Sequence, residues 1–548
     1  MEERIKRALE GALEVLGASG TAFVVERPTE AAHGDYTTNA AMAVAKALKQ
    51  NPREVADSLA ASLRSMLAEV ASNVEVAGPG FINVTLSQGY VTLAIAEADA
   101  QKEGWGKGVI ENDKRVIIEY SNPNAFKEMH VGHLVGTVVG EAVSRLIENS
   151  GAAVARDTFG GDIGPNVAKA LWSLRKNGVL EPVMPSEVGD AYTEGSTAYE
   201  NDAQAKAEID ALNQAIYAGT DHELMELWRK GREVSMGEFR RIWRILGTHF
   251  DFEFFDSDTT EIGIRVVHDG LAKGVFEKSD GAIVYNGEGK GVHTMVFITS
   301  HDTPTYEAKD IGLAFLKEER WPSDHSIIVT GNEQSGRFKT VLCALGDVAP
   351  LLSKKMSHVA TGFLKLSSGK MSSREGNVIT AAEFITAVIQ TAAEKNEDPL
   401  IAEQVAVGAI KYMVLRQSPG SDIIFDAEKS LSLEGDSGPY LQYALVRAKS
   451  VIAQASTTPI TGAPEVPYLI ERIILHYPEV AARAAKELAP NLLVNYLTEL
   501  AGCWNSFYAK ERIVGGDFEA HKLLVARAFV QTMTNGLTLL GIPTPERM

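Results

Sequence analysis

The stretch from Arg115 to Asn149, RVIIEYSNPNAFKEMHVGHLVGTVVGEAVSRLIEN, constrains the fold more than any other part of the chain. Val116, Ile117 and Ile118 run without alternation, as in a strand buried on both faces, so Arg115–Tyr120 is predicted to be a short strand of that kind. Asn122, Pro123 and Asn124 break it. From His130 onward, Leu134, Val138, Val139, Ala142, Leu146 and Ile147 recur at helical spacing and mark an apolar helix face. Strand, polar turn and helix in this order form the first half of a nucleotide-binding βαβ unit. At the turn stands His130-Val131-Gly132-His133. Histidines three apart on a first helical turn share one face, and Gly132 leaves room for a flat ligand near the backbone. Free N–H groups and the helix dipole favour an anion there. Two such imidazoles can donate hydrogen bonds to a phosphoryl group whose charge is changing. The competing reading is a pair that only caps or solvates the helix start.

HVGH resembles the HIGH motif of class I aminoacyl-tRNA synthetases, and EYSNPNAFKEMHVGHL is similar to the arginyl-tRNA synthetase version of it. A second string, Gly369-Lys370-Met371-Ser372-Ser373-Arg374-Glu375-Gly376-Asn377-Val378, resembles the KMSKS motif, with Ser373 in place of the second lysine. A loop of Ser, Gly and cations can close over a triphosphate and stabilise departing pyrophosphate. The resemblance implies that His130, His133, Lys127 and Lys370 are catalytic. In it Lys127 supplies the charge missing at Ser373, and Arg374 assists. It also implies ATP contacts from Gly132, Gly331, Glu333, Met371, Ser372, Ser373 and Arg374.

Tyr306 and Asp310 are four apart. If a helix has started by Tyr306, ring and carboxylate lie on one face, which suits a guanidinium: a carboxylate for the fork and an aromatic wall beside it. A solvated helix residue is the alternative reading of Asp310. The resemblance adds Glu119, Ser121, Asn124 and Gln334 to these two as arginine-binding residues. Two departures from the family stand out. Gly331-Asn332-Glu333-Gln334-Ser335 replaces the usual GADQH, and Gly160-Gly161-Asp162-Ile163-Gly164 lacks the tryptophan of the family's GDWG; an ordinary turn also explains the latter loop.

The expected architecture is multidomain α/β. Residues 1–105 form a small N-terminal α/β domain. Residues 106–430 form a Rossmann-type parallel-sheet catalytic domain with a connective insertion at about 168–278. Residues 431–548 form an all-α helical bundle. Gly151–Arg156, Asp280–Tyr285, Thr294–Ile298, Ser326–Thr330 and His358–Leu366 are read as further strands, the last four in the second half of the nucleotide fold. GDYTTNAAMAVAKAL and AGPGFINVTL resemble the family's N-terminal extension, implying tRNA contacts at Asp35 and Asn39, where a capping turn is the plainer reading. The C-terminal pieces resemble the family's anticodon-binding bundle, implying that Tyr440, Tyr443, Trp504 and Tyr508 meet tRNA. Such rings can stack on unpaired bases, but most sit at helical spacing among Leu and Ala and fit core packing equally.

Bulk properties exclude some classes. A net charge of −19 argues against a protein coated for polyanions, although cationic and acidic side chains nearly balance from residue 433 onward. Cys343 and Cys503 lie far apart, so neither a disulfide framework nor protein-bound zinc is expected, and a reducing, cytoplasmic setting follows. No apolar run approaches the ~20 residues of a membrane span. The amphipathic N-terminus reads as neither secretory signal nor transit peptide. The resemblance implies ATP with Mg²⁺ on its phosphates, L-arginine and tRNA(Arg) as partners, no membrane, and a monomer. Rival readings are a sister class I synthetase, a small nucleotidyltransferase, and a non-catalytic tRNA-binding relative.

Overall fold

The strand–turn–helix is present in the computed structural model, which describes residues 1–367, 379–455 and 462–548. β1 (Arg115–Glu119) leads into α1 (Val131–Asn149), β2 (Ala153–Gly160) and α2 (Pro165–Lys176). The helices α3 (Pro185–Asn201), α4 (Ala203–Ala218) and α5 (His222–Ile245) follow, then β3 (Phe252–Phe255) and α6 (Asp256–Ala272). β4 (Glu277–Ser279), β5 (Ala282–Tyr285) and β6 (Met295–Ile298) precede α7 (Tyr306–Arg320), β7 (His325–Gly331), α8 (Ser335–Val348) and β8 (Met356–Thr361).

Among the described residues, five of these strands form a wholly parallel sheet in the order β8-β7-β1-β2-β3. The chain starts in the middle, winds one way, then returns to β1 and winds the other way. A crevice therefore opens at the carboxyl ends of β1 and β7, the place where such sheets bind ligands. Val116, Ile118, Val143, Ile147, Ile327 and Val329 are all buried in the core between sheet and helix. The β-branched run is buried because strands covered by helices on both faces have no wet side.

Three sequence readings change. Asp280–Tyr285 and Thr294–Ile298 do not join the parallel sheet: β4, β5 and β6 make a separate antiparallel one. Only the glycine-rich residues 286–294 separate the last two strands, enough for a hairpin and too little for the crossover that parallel pairing requires. Conversely β3, inside the stretch read as insertion, is the outer parallel strand. The strand read at His358–Leu366 is broken. Met356–Thr361 stays in the main sheet, while Leu364–Leu366 pairs with Ile423–Phe425.

The chain divides into two compact units, one comprising residues 108–443, 482–495 and 536–548, the other 1–107, 444–481 and 496–535. In the second, an antiparallel four-stranded sheet carries Tyr36–Thr38 and Phe81–Leu86 as its central strands. This small sheet shares its unit with late helices. The Tyr36 hydroxyl donates to Glu479 at 2.9 Å, Arg27 forks onto Glu499 at 2.6 and 2.7 Å, and Trp105 Nε1 donates to Thr532 at 3.1 Å.

Candidate active site

The turn after β1 is tight. Ser121, Asn122 and Phe126 all have positive φ (75°, 51° and 64°), which costs non-glycine residues energy and persists only where surroundings impose it. Here they do. Asn122 donates to Glu119 Oε1 at 2.9 Å and accepts the Phe159 N–H at 2.9 Å. Asn124 Oδ1 accepts the Gly161 N–H at 3.0 Å, and a Cβ on Gly161 would fall 2.4 Å from that oxygen. Phe126 is fully buried in the core formed by α2 and the inserted helices, which ties the turn to the insertion.

The turn delivers His130 and His133 to the start of α1 as a reciprocal cap. His130 Nδ1 accepts the Gly132 N–H at 3.1 Å, and His133 Nδ1 accepts the His130 N–H at 3.3 Å. The rings stack, with centroids 3.7 Å apart. Both readings of the pair therefore hold together: each ring caps with Nδ1, which places the proton of the neutral ring on Nε2 and leaves that N–H as a donor. Burial, then the His130 ring and the Lys127 ammonium, lower His133 to about 3. Burial also lowers His130, more than the Glu333 carboxylate raises it. Both shifts favour the neutral imidazole, the form that donates from Nε2. Gly132 is required by His130 itself, since a Cβ there would lie 2.8 Å from its ring.

Lys127 is near enough to act on both rings, yet its ammonium rests 4.4 Å over the Tyr192 ring of α3. Val131 N–H reaches the Ile379 carbonyl at 3.3 Å, Ala381 N–H the Met129 carbonyl at 2.6 Å, and His130 bridges to Thr380. The flank of the second motif thus docks on the first. Lys370, Met371, Ser372, Ser373 and Arg374 lie outside the described residues.

The expected arginine contacts gather at the switch point, but most are already engaged. Glu119 (2 % exposed) and its cross-strand neighbour Asp157 (fully buried) share one cation, Lys317 of α7, at 2.6 and 2.7 Å. Burial opposes the charge of that lysine, but the two carboxylates outweigh it and hold the ammonium above its usual value. Burial pushes Asp157 well above the carboxylate range. Ser121, expected to touch substrate, has a buried hydroxyl that accepts from Trp243 Nε1 and Thr137 Oγ1, both at 2.9 Å.

The helix α7 does start at Tyr306, and the Tyr306 ring is half exposed. Asp310 does not stand as a solvated helix residue. It pairs with Arg337 Nη1, while Arg337 Nε donates to Gln334 Oε1 at 2.9 Å. Burial raises Asp310 to about 7, more than the arginine lowers it. Gly331 ends β7, and Glu333, exposed on the next turn, faces His130. Sequence reasoning missed Lys317, Asp157, Arg337 and His358, whose Nε2 lies 2.7 Å from Thr330 Oγ1 and whose ring stacks on Phe338. Asp157 inside strand β2 and Lys317 directly after the apolar run Ile311–Leu316 of α7 were the signal available.

Of the residues expected to meet tRNA, Asp35 is buried, accepts the Leu86 N–H at 2.7 Å and pairs with Arg472. Trp504 is fully buried and stacked on Phe529 with centroids 4.6 Å apart, the core-packing alternative of the sequence reading. Asn39 Oδ1 accepts the Val24 N–H at 2.9 Å. Tyr440, Tyr443 and Tyr508 are partly exposed, and Arg447 sits 4.2 Å over the Tyr508 ring. Among the described residues no helix is long and apolar enough to cross a membrane, and no cluster of His, Cys, Asp and Glu is set to hold a metal ion.

Three family models match: "tRNA synthetases class I (R), catalytic domain" over residues 95–427, "Arginyl tRNA synthetase N terminal domain" over 1–86, and "DALR anticodon binding domain" over 441–548. The arginine–tRNA ligase of Treponema denticola is 30% identical over 542 residues, covering 92% of this chain and 91% of the relative. That of Flavobacterium psychrophilum is 28% identical over 544 residues, covering 91% and 90%. The solved arginyl-tRNA synthetase of Thermus thermophilus superposes with a TM-score of 0.83 at 26% identity, covering 100% of both chains. The histidine pair stands at the switch point of a parallel sheet, and the matches extend over nearly the whole chain: this protein belongs to the arginyl-tRNA synthetase family of class I tRNA synthetases.

Proposed function

We propose that the chain is an arginine–tRNA ligase. The arginine carboxylate attacks the α-phosphorus of Mg²⁺-ATP, giving arginyl-adenylate and pyrophosphate, and the terminal ribose of tRNA(Arg) then takes the arginyl group. The nucleophile is already an anion, so the protein's work is positioning and charge stabilisation. The observation that carries the proposal is the histidine pair, whose Nδ1 atoms are spent on the backbone. Each ring keeps a neutral Nε2–H for the non-bridging oxygens as charge grows on the α-phosphoryl group. Lys127, released from Tyr192, and Lys370 meet the leaving pyrophosphate, with Gly132, Gly331, Glu333, Met371, Ser372, Ser373 and Arg374 around ATP. Asp310 and Gln334 take the guanidinium beside Tyr306, and Glu119 and Asn124 shape the other end of the arginine site.

The proposal divides the chain into a tRNA-contacting part (1–105), a catalytic part (106–430) and an anticodon-binding part (431–548). Asn39, Tyr440, Tyr443 and Tyr508 contribute to the tRNA surface. The protein works as a monomer, since one chain carries every named part, and in the cytoplasm with its tRNA.

The test is ATP–pyrophosphate exchange with each of the twenty amino acids, with and without total tRNA. Exchange for arginine alone supports the proposal. Exchange with a different amino acid moves the chain to a sister specificity, and tRNA binding without any exchange makes it a non-catalytic relative.

A further inference from the structure

Arg337 is a guanidinium already seated where a guanidinium substrate should go. Its Nη1 is on Asp310 and its Nε is 2.9 Å from Gln334 Oε1. Besides Asp310, the carboxylates of Glu307 and Glu119 act on it. Its own charge is felt by Asp256, Tyr306 and His358, so it stands in the middle of the crevice rather than at its rim.

Among the described residues, two other cations face the same carboxylates, and the contrast is instructive. The Lys309 side chain, 2.8 Å from Asp256, is 5% exposed, and that of Lys317 is 4% exposed. Neither can leave without uncovering a buried charge. The Arg337 side chain is 22% exposed and sits on the first turn of α8, where a long side chain has water to swing into.

We infer that Arg337 is a specificity-determining residue: its guanidinium occupies the acceptors that the amino-acid side chain must take, and the substrate displaces it. The inference rests on the reading of Asp310 and Gln334 as guanidinium acceptors. A ligand wins this exchange only by replacing both of the bonds that Arg337 gives up. Arginine carries the same planar fork and does so. Lysine brings one point charge and leaves an acceptor unpaired, and citrulline brings no charge at all. The incumbent therefore weakens all ligands in absolute terms but penalises the wrong ones more.

The test is calorimetric binding of arginine and lysine to the full chain and to Arg337→Met, at pH 8.5 so that the acceptor carboxylate is ionised, with ATP binding measured alongside. Arginine should bind Arg337→Met about tenfold more tightly, one charge-assisted hydrogen bond's worth, and the preference for arginine over lysine should narrow. Arginine binding that is unchanged or weaker in Arg337→Met overturns the inference, because Arg337 then holds the pocket in shape. If neither protein binds arginine while both bind ATP, the guanidinium reading of the site itself is wrong. Should Arg337→Met fail to bind ATP, Arg337→Lys decides: it keeps the charge but loses the fork, so arginine should still tighten, and weakening refutes competition.

Discussion

Replacing Lys317 with methionine removes the one cation shared by Glu119 and Asp157, at 2.6 and 2.7 Å, and leaves two carboxylates under a near-isosteric apolar chain. Both are essentially out of water, so they cannot remain doubly charged. The site must take up one proton to replace the lost positive charge. Protonating at pH 7.5 a carboxyl whose free value is ~4 costs about 4–5 kcal/mol, at ~1.4 kcal/mol per pH unit. That agrees with the ~3–5 kcal/mol measured when a buried ion pair loses one partner. The pH dependence has a definite sign. The folded variant binds a proton that the unfolded chain releases, so the defect grows by ~1.4 kcal/mol per unit from pH 7.5 to pH 8.5, and it levels off below about pH 7, where burial protonates Asp157 in the parent chain as well. Urea unfolding of the full chain and of Lys317→Met at both pH values measures it, with hydrogen exchange of β1 and β2 assigning the transition. A defect below ~1 kcal/mol at pH 7.5, or one equal at both pH values, would refute the buried-charge reasoning.

Three further outcomes are expected. His133→Ala should lower the pyrophosphate-exchange rate constant about 100-fold or more by removing a preorganised donor; because His133 is lowered to about 3, its ring should not titrate in the wild-type rate between pH 6 and 8. Asp310, raised to about 7, should make arginine affinity fall as pH drops from 8 to 6, since the protonated carboxyl loses its pull on a guanidinium; Asp310→Asn should flatten that titration and abolish exchange while ATP still binds. Trp504→Ala should destabilise the unit it belongs to by about 3–5 kcal/mol as a core deletion, read as a fall in the urea midpoint.

The local pieces of this fold were legible in the residue order because they depend on neighbours in sequence. The unbroken Val116-Ile117-Ile118 run became the central strand, and α1 took the apolar face read from its periodicity. Asn51-Pro52 opens the helix Pro52–Met66, with the Asn51 side chain accepting from Arg53 N–H at 2.9 Å. The histidine pair was legible for the same reason, since caps are made within one turn. Family resemblance then named the chemistry that periodicity could not.

What the sequence left open is a matter of partners. Asp310 reads identically whether its carboxylate faces water, substrate or Arg337, and only the approach of α7 to the start of α8 put an arginine there. Lys317 and Asp157 lie 160 residues apart and become one ion pair because β1, β2 and α7 close on the same face. Asp35 and Trp504 carried the chemistry to meet a tRNA, but Arg472 and Phe529 claimed them. Burial decides which polar groups are spent on the fold and which stay available to a ligand, and burial is a property of the assembled chain, not of any stretch within it.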